Sequence, residues 1–179
     1  MPRRQLAVAL ATALAILCPT LLPGQPAIAT QPVAEWRHAD NMHRLVNALD
    51  DWLDRHSDWP RRAAAPHIRL VSPWEAKARQ GASGSLQRGR LRGLYDPDRA
   101  EILLVRPWNP RNSDDVSVLL HELVHHRQQP HHWYCPAAQE LSAYRLQDAW
   151  LGAFGQRAAV NWVAVVLDAG CTPRDIHPD

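Results

Sequence analysis

The chain has 179 residues, with 20 basic and 18 acidic side chains, and its 46% hydrophobic content is that of a globular protein. Without its first 29 residues, whose only charges are Arg3 and Arg4, the chain is formally neutral and long enough for one domain with a substantial core. This balance gives no support for a nucleic-acid partner or an anionic membrane as partner.

The first 29 residues have the pattern of a secretory signal peptide. Two arginines precede an almost wholly apolar stretch, Leu6–Leu17, and the segment ends in Ala-Ile-Ala at residues 27–29. A basic start, a short apolar core and an A-x-A ending predict cleavage after Ala29 and export to the periplasm or the cell exterior. The apolar core is shorter than the roughly 20 residues of a spanning helix, which argues against a membrane anchor that is retained.

Several elements are predicted before the central motif. Hydrophobic residues recur at helical spacing over residues 33–56, which predicts one amphipathic helix. Ile68–Val71 is typical of a strand, and Pro73 begins a short helix. Residues 80–93 contain four glycines and three arginines, a composition typical of a loop. Two strands follow, Leu91–Tyr95 and Glu101–Val105.

Residues 114–128 are predicted to form a buried helix that carries the sequence His-Glu-x-x-His. His121 and His125 are four residues apart, so their imidazoles lie on one helical face and can bind the same metal ion. Glu122 lies about 100° further round the helix, where its carboxylate can hold a metal-bound water without binding the metal itself. This spacing predicts most of a zinc hydrolase site.

Two more helices are predicted after the motif, over residues 136–151 and 155–169. Helices therefore predominate, with a small sheet before the motif helix, and the predicted fold class is α+β. Cys135 and Cys171 are the only cysteines after the predicted cleavage site. In an exported chain such a pair predicts a disulfide bond, here between the loop after the motif helix and the end of the last helix.

A catalytic zinc ion usually has three protein ligands, so the two histidines require a third. Glu140, at the start of the next predicted helix, is the favoured candidate. His131 has the spacing of the metzincin pattern, but Gln128 stands where that pattern has glycine, and no methionine follows for a Met-turn. Cys135 could bind zinc as a thiolate, although the predicted disulfide competes with that role.

Residues 91–147 resemble the zincin metallopeptidases, within them the gluzincin-like group that combines His-Glu-x-x-His with a downstream glutamate. The resemblance lies in the two strands before the motif helix, in His121–Gln128 and in Glu140–Gln147. The chain is similar to small exported bacterial proteins of this type. Larger gluzincins have an aspartate four residues after the third ligand, where this chain has Tyr144.

The resemblance implies that residues 30–179 form a single zincin-like domain that binds one Zn²⁺ through His121, His125 and Glu140. Glu122 would then be the general base that activates a zinc-bound water. The implied function is exported zinc-dependent hydrolysis, with a peptide or protein as substrate. The alternative is a zinc-binding protein of zincin fold without peptidase activity.

Two parts of this expected mechanism have several candidates. The donor that stabilises the developing oxyanion could be Tyr144, Tyr134, His126 or His132, which all lie near the motif in sequence. An extended substrate would pair its backbone with Ile102–Val105 or with the neighbouring strand.

The eight tryptophans prompt a third interpretation, a cell-wall or carbohydrate-binding module. However, four of them lie on apolar helical stripes, which predicts packing in the core instead; these are Trp36, Trp52, Trp150 and Trp162.

Overall fold

The structure is a computed structural model and describes residues 32–80 and 90–171. The predicted signal peptide and residues 81–89 of the predicted glycine-rich loop lie outside the described residues. All described elements belong to one unit, Gln31–Asp179. No helix in the described part of the chain combines the length and the apolar character that crossing a membrane requires.

Helices predominate over strands in the described residues, which confirms the α+β class. The helices are α1 (Met42–His56), α2 (Pro73–Gln80), α3 (Ser113–Gln128), α4 (Glu140–Gly152) and α5 (Trp162–Ala169), and the strands are β1 (His67–Val71), β2 (Gly93–Asp96) and β3 (Glu101–Val105). Short 3₁₀ segments at Pro32–His38 and Pro136–Gln139 precede α1 and α4.

The three strands form one sheet, in the order β1-β3-β2. Strand β1 pairs with β3 in parallel, with Ile68 opposite Ile102, and β2 pairs with β3 in antiparallel fashion, with Leu94 opposite Leu103. Every residue of β3 is buried, as its continuous run of apolar residues predicts for a central strand. Strand β2 is therefore an edge of the described sheet, and it lies against α3.

Helix α3 is the centre of the fold, and its position agrees with the prediction to within one residue. The side chain of Asn112 caps it by accepting hydrogen bonds from the backbone N–H groups of Asp114 and Asp115. From Val116 to Gln128 every residue is buried. The apolar half of the helix lies in the main core, and the polar half carries the motif.

Two helix predictions were partly wrong because local caps interrupt the apolar pattern. Residues 33–56 do not form one helix, since Asn41 accepts a hydrogen bond from the backbone N–H of Arg44 and starts a new helix there. Residues 155–161 are not helical either: Gly155 has a positive φ of 71°, and Asn161 caps α5 through the N–H of Ala164.

The predicted disulfide is confirmed. The Cys135 and Cys171 sulfurs are bonded at 2.09 Å, which ties the start of the segment before α4 to the second residue after α5. Because disulfides persist in oxidising compartments, this bond indicates a location outside the cytoplasm.

Core packing accounts for three of the tryptophans predicted to be buried. Trp36, Trp52 and Trp150 are each at most 3% exposed, and Trp36 and Trp150 pack against each other with ring centroids 5.4 Å apart. Trp162 is only half-buried. A cell-wall-binding role for the buried rings has no support, because a binding ring must be accessible to its ligand.

Candidate metal centre

Three side chains from two packed helices converge at one point. His121 and His125 lie on α3, and Glu140 is the first residue of α4. The Nε2 atoms of the two histidines are 3.0 Å apart, and the Glu140 oxygens lie 3.3 Å from His121 Nε2 and 3.5 Å from His125 Nε2. Ala143 lies on α4 one turn after Glu140 and is fully buried, so this part of α4 packs closely against its surroundings.

These separations fit a tetrahedral zinc site. Zinc bonds of about 2.0–2.1 Å to nitrogen and oxygen place two ligand atoms about 3.3–3.4 Å apart. The observed distances of 3.0, 3.3 and 3.5 Å agree with that value to within a few tenths of an ångström. Two imidazole nitrogens and one carboxylate are also a donor set that catalytic zinc sites use. Among the described residues, these three side chains form a group that could hold a metal ion, since their ligand atoms all lie within 4.8 Å of one another.

The electrostatics of the group favour a cation at its centre. Burial alone would lower the pKa of His125. The charge and hydrogen bond of Glu140, together with contributions from Glu122 and Gln128, outweigh burial and raise that pKa to about 9. Burial likewise opposes the charge on Glu140, yet the two histidines hold the pKa of its carboxyl well below the usual range. Glu140 therefore stays ionised and draws a proton or a metal ion to the imidazoles.

The carboxyl group of Glu122 is held between α3 and the edge strand. Burial raises the pKa of Glu122, and the charges of His121 and His125 oppose that rise, while the backbone N–H of Tyr95 donates a hydrogen bond to its carboxylate. A carboxylate with a raised pKa is better suited to accept and return a proton near neutral pH.

Gly93, the first residue of β2, permits this close approach of strand and helix. A Cβ atom at that position would lie 2.6 Å from Oε1 of Glu122 and 2.7 Å from Cγ1 of Val118. Both distances are below any normal contact, so only glycine leaves the Glu122 carboxylate its present place. In the sequence this glycine belongs both to the glycine-rich run and to the predicted strand Leu91–Tyr95, and neither pattern indicates its role at the site.

The two histidines differ in the hydrogen-bond partners of their Nδ1 atoms. Nδ1 of His125 lies 3.0 Å from Oε1 of the buried Gln128. Nδ1 of His121 is buried and has no hydrogen-bond partner among the described residues, and the Tyr144 ring packs on this imidazole with centroids 4.3 Å apart. The sequence offered Gln128 only as a departure from the metzincin pattern.

The other candidate ligands lie elsewhere. His131 is exposed, and its ring packs edge-on against Trp59 with centroids 4.9 Å apart. Cys135 is bonded to Cys171 and has no free thiolate. Neither residue joins the group that His121 and His125 form, whereas Glu140 does.

The structure also distinguishes among the four candidate oxyanion donors. Tyr134 is 95% exposed and His132 is exposed beside it. Both ring nitrogens of His126 are occupied, by the Tyr95 hydroxyl at 3.1 Å and the Ala64 carbonyl at 2.9 Å. Of the four, Tyr144 is the one whose ring packs on a motif histidine.

Four consecutive residues at the end of α3 contact four different neighbours. His125 faces the candidate metal centre, and His126 contacts strand β2 and the segment before β1. Arg127, 1% exposed, bonds Asp50 of α1 at 2.6 Å, and Gln128 bonds the start of α4. Successive residues point about 100° apart on a helix, so this last turn is held on every side.

Comparison with known proteins gives a family but no activity. Residues 38–179 match the family described as Domain of unknown function (DUF6647), and this match includes every residue of the candidate metal centre. No curated protein and no solved structure matches the chain. Since the match spans well over half of the sequence, the chain belongs to the DUF6647 family.

Proposed function

We propose that the protein is an exported zinc-dependent hydrolase of the zincin type, and specifically a peptidase. The observation that carries this proposal is the convergence of His121 Nε2, His125 Nε2 and the Glu140 carboxylate at zinc-like spacing, next to the buried carboxyl group of Glu122. The disulfide supports a periplasmic or extracellular location.

The chain's own groups suit the hydrolysis of a peptide bond. A bound zinc ion supplies Lewis acidity at the scissile carbonyl and makes water acidic enough to lose a proton near pH 7. Glu122 accepts that proton and delivers it to the departing amine, a task for which its raised pKa is suited. The backbone N–H of Tyr95 favours the ionised form of this carboxylate, which is the form that accepts the proton.

Tyr144 is the donor that we assign to the oxyanion. Burial, followed by the charges of Glu140 and Glu122, raises the pKa of its hydroxyl above the usual value. The hydroxyl therefore stays protonated at physiological pH and can donate a hydrogen bond to developing negative charge. Its ring packs on His121 with centroids 4.3 Å apart, and this contact with a candidate ligand supports the assignment.

Strand β2 is the surface that we assign to the substrate backbone. Strand β3, with Ile102–Val105, already has partners on both sides and cannot accept another strand. Strand β2 has one partner in the described sheet and contacts Glu122 through Gly93 and Tyr95. An extended peptide paired with β2 would therefore pass next to the general base.

The decisive experiment compares the predicted mature chain with its Glu122→Gln variant. Zinc content is measured by elemental analysis, and hydrolysis is measured on a mixed peptide library by mass spectrometry, with and without a chelator. We expect one zinc per chain in both proteins, chelator-sensitive cleavage by the wild type and none by the variant. Undiminished cleavage by the variant would remove Glu122 from the mechanism. Zinc without cleavage in the wild type would favour a zinc-binding protein that is not a peptidase.

A second pair of variants tests the third ligand. Glu140→Gln should lower the zinc content to well below one per chain, because it removes the charged ligand. His131→Gln serves as the matched control and should retain a full equivalent, since that side chain is exposed and packs against Trp59. The opposite result would assign the third ligand to His131.

A further inference from the structure

Gln128 lies outside the His-Glu-x-x-His motif, yet it is fully buried and its side-chain amide is engaged at both ends. Its Oε1 lies 3.0 Å from Nδ1 of His125. Its Nε2 donates to the Ser142 hydroxyl at 2.5 Å and to the Gln139 carbonyl at 3.2 Å. One side chain on α3 thus joins a motif histidine to the first turn of α4.

The partners of this amide determine which way round it lies. The Gln139 carbonyl oxygen can only accept a hydrogen bond, so the NH₂ group of Gln128 must face it. The amide oxygen of Gln128 then faces His125, and an oxygen of this kind can only accept. Nδ1 of His125 must therefore carry a hydrogen atom. In the neutral imidazole that leaves Nε2 with the free lone pair, and Nε2 is the atom that faces His121 and Glu140.

The other end of the amide acts on the third candidate ligand. Gln139 and Ser142 stand on either side of Glu140 in the sequence, and the Ser142 hydroxyl also donates to the Gln139 carbonyl at 3.1 Å. Both groups are bonded to Gln128, so the turn that carries Glu140 is fastened directly to the end of α3. The orientation of His125 and the position of Glu140 consequently depend on one side chain.

We infer that Gln128 is the positioning residue of the metal centre: it fixes the hydrogen of His125 on Nδ1 and holds Glu140 opposite the imidazoles. This inference rests on the zinc site of the proposed function and adds to it a residue that touches neither the ion nor the substrate. His121 has no equivalent support, since its buried Nδ1 lacks a partner among the described residues. Partners of this kind typically contribute 10- to 100-fold to metal affinity, roughly speaking.

The test uses Gln128→Met, which keeps the shape of the side chain and removes both hydrogen-bonding groups. The matched control is Gln147→Met, because Gln147 is also buried and also joins α4 to α3, through the Ser117 hydroxyl at 2.9 Å. The Kd for Zn²⁺ is measured by competition with a chromogenic chelator, and the Tm of the metal-free protein is measured alongside. We expect Gln128→Met to weaken zinc binding by about 10- to 100-fold. Gln147→Met should lower Tm by about as much as Gln128→Met does, but its Kd should stay within about threefold of the wild-type value.

Gln128→Glu provides a second arm that does not depend on the folding of the methionine variant. Its carboxylate still accepts from Nδ1 of His125 but cannot donate to the Gln139 carbonyl, so it keeps only one of the two roles. Its zinc affinity should therefore fall by less than that of Gln128→Met. A loss in this variant as large as that in Gln128→Met would overturn the inference that Gln128 fixes the hydrogen of His125. An unchanged Kd in Gln128→Met, or equal losses in Gln128→Met and Gln147→Met, would overturn it as well. If the wild type itself bound no zinc, both the proposed function and this inference would fail. The outcomes above, by contrast, would overturn the inference and leave the proposed function standing.

Discussion

Replacing Gly93 with alanine tests whether the Glu122 carboxylate is held against strand β2. The new Cβ would lie 2.6 Å from Glu122 Oε1, and ordinary contacts begin at 3.4 Å, so the carboxylate must move by about 0.8 Å. Displacing a catalytic group by about 1 Å lowers the rate by roughly 100-fold. The added methyl group also presses on Val118, and such overpacking costs about 1–3 kcal/mol.

Two measurements separate these effects. We expect kcat/KM on a cleaved library peptide to fall by about 100-fold and Tm to fall by between about 2 and 12 °C. Zinc content should not change, because the atoms nearest to the new Cβ belong to Glu122 and Val118 and not to the three candidate ligands. Gly152→Ala is the matched control, since a Cβ there meets nothing within 4 Å, and it should leave both values unchanged. Full activity and full stability in Gly93→Ala would refute the close approach of β2 to Glu122.

Three further predictions follow from the electrostatics and the crosslink. Against the effect of burial, Glu140, with contributions from Glu122 and Gln128, raises the pKa of His125 to about 9, so a proton competes with zinc below that pH. Between pH 7 and 9 the zinc affinity measured by chelator competition should rise about tenfold per pH unit, and it should level off above pH 9. Reducing the disulfide, which closes a 36-residue separation, should lower the free energy of unfolding in urea by about 4 kcal/mol. Asp50→Ala leaves the buried charge of Arg127 short of a partner and should cost about 3 kcal/mol in urea unfolding. Asp40→Ala breaks an exposed ion pair and an exposed hydrogen bond from Asn41, and it should cost less than about 1 kcal/mol.

Each of these predictions has a contradicting result. A zinc affinity that is constant between pH 7 and 9 would show that no proton leaves His125 on binding. An unfolding midpoint that does not respond to reductant would show that the crosslink does not constrain the unfolded chain. Equal effects of Asp50→Ala and Asp40→Ala would show that the buried Arg127 pair contributes no more than a surface one.

The motif helix and the candidate ligands were predictable because their signals are local. His121 and His125 are placed on one face by the helical repeat, and Glu140 follows at the start of the next predicted helix. Strand β3 was predicted at its observed bounds, since a short apolar run between turn residues is typical of a buried strand. The paired cysteines predicted the disulfide from their number and the expected compartment.

Elements whose ends depend on single caps were less predictable. The apolar stripe over residues 33–56 continues across Asn41, and only the hydrogen bond from that asparagine shows that a new helix starts there. The last helix was predicted from its apolar residues, yet Val163, Val166 and Leu167 on it are all at least half exposed. Periodicity identifies an apolar face, but it does not show whether another element covers that face.

Residues that support the site have no sequence signal of their own. Gly93 matters because α3 happens to cross β2 at that point, and Gln128 matters because the first turn of α4 lies beside it. Both facts are tertiary contacts between segments that are predicted separately. A glycine in a loop-like run and a glutamine at a helix end carry no periodic or motif pattern that would have distinguished them.

The last turn of a helix normally frays, and its amide protons exchange quickly with solvent. In α3 that turn carries His125, and it is fixed by Arg127 to α1, by His126 to the sheet side and by Gln128 to α4. Its amides should therefore be among the slowest to exchange deuterium in the protein, before any metal is added. A ligand already immobile in this way loses little conformational entropy when it captures an ion, so tight binding does not require a large rearrangement.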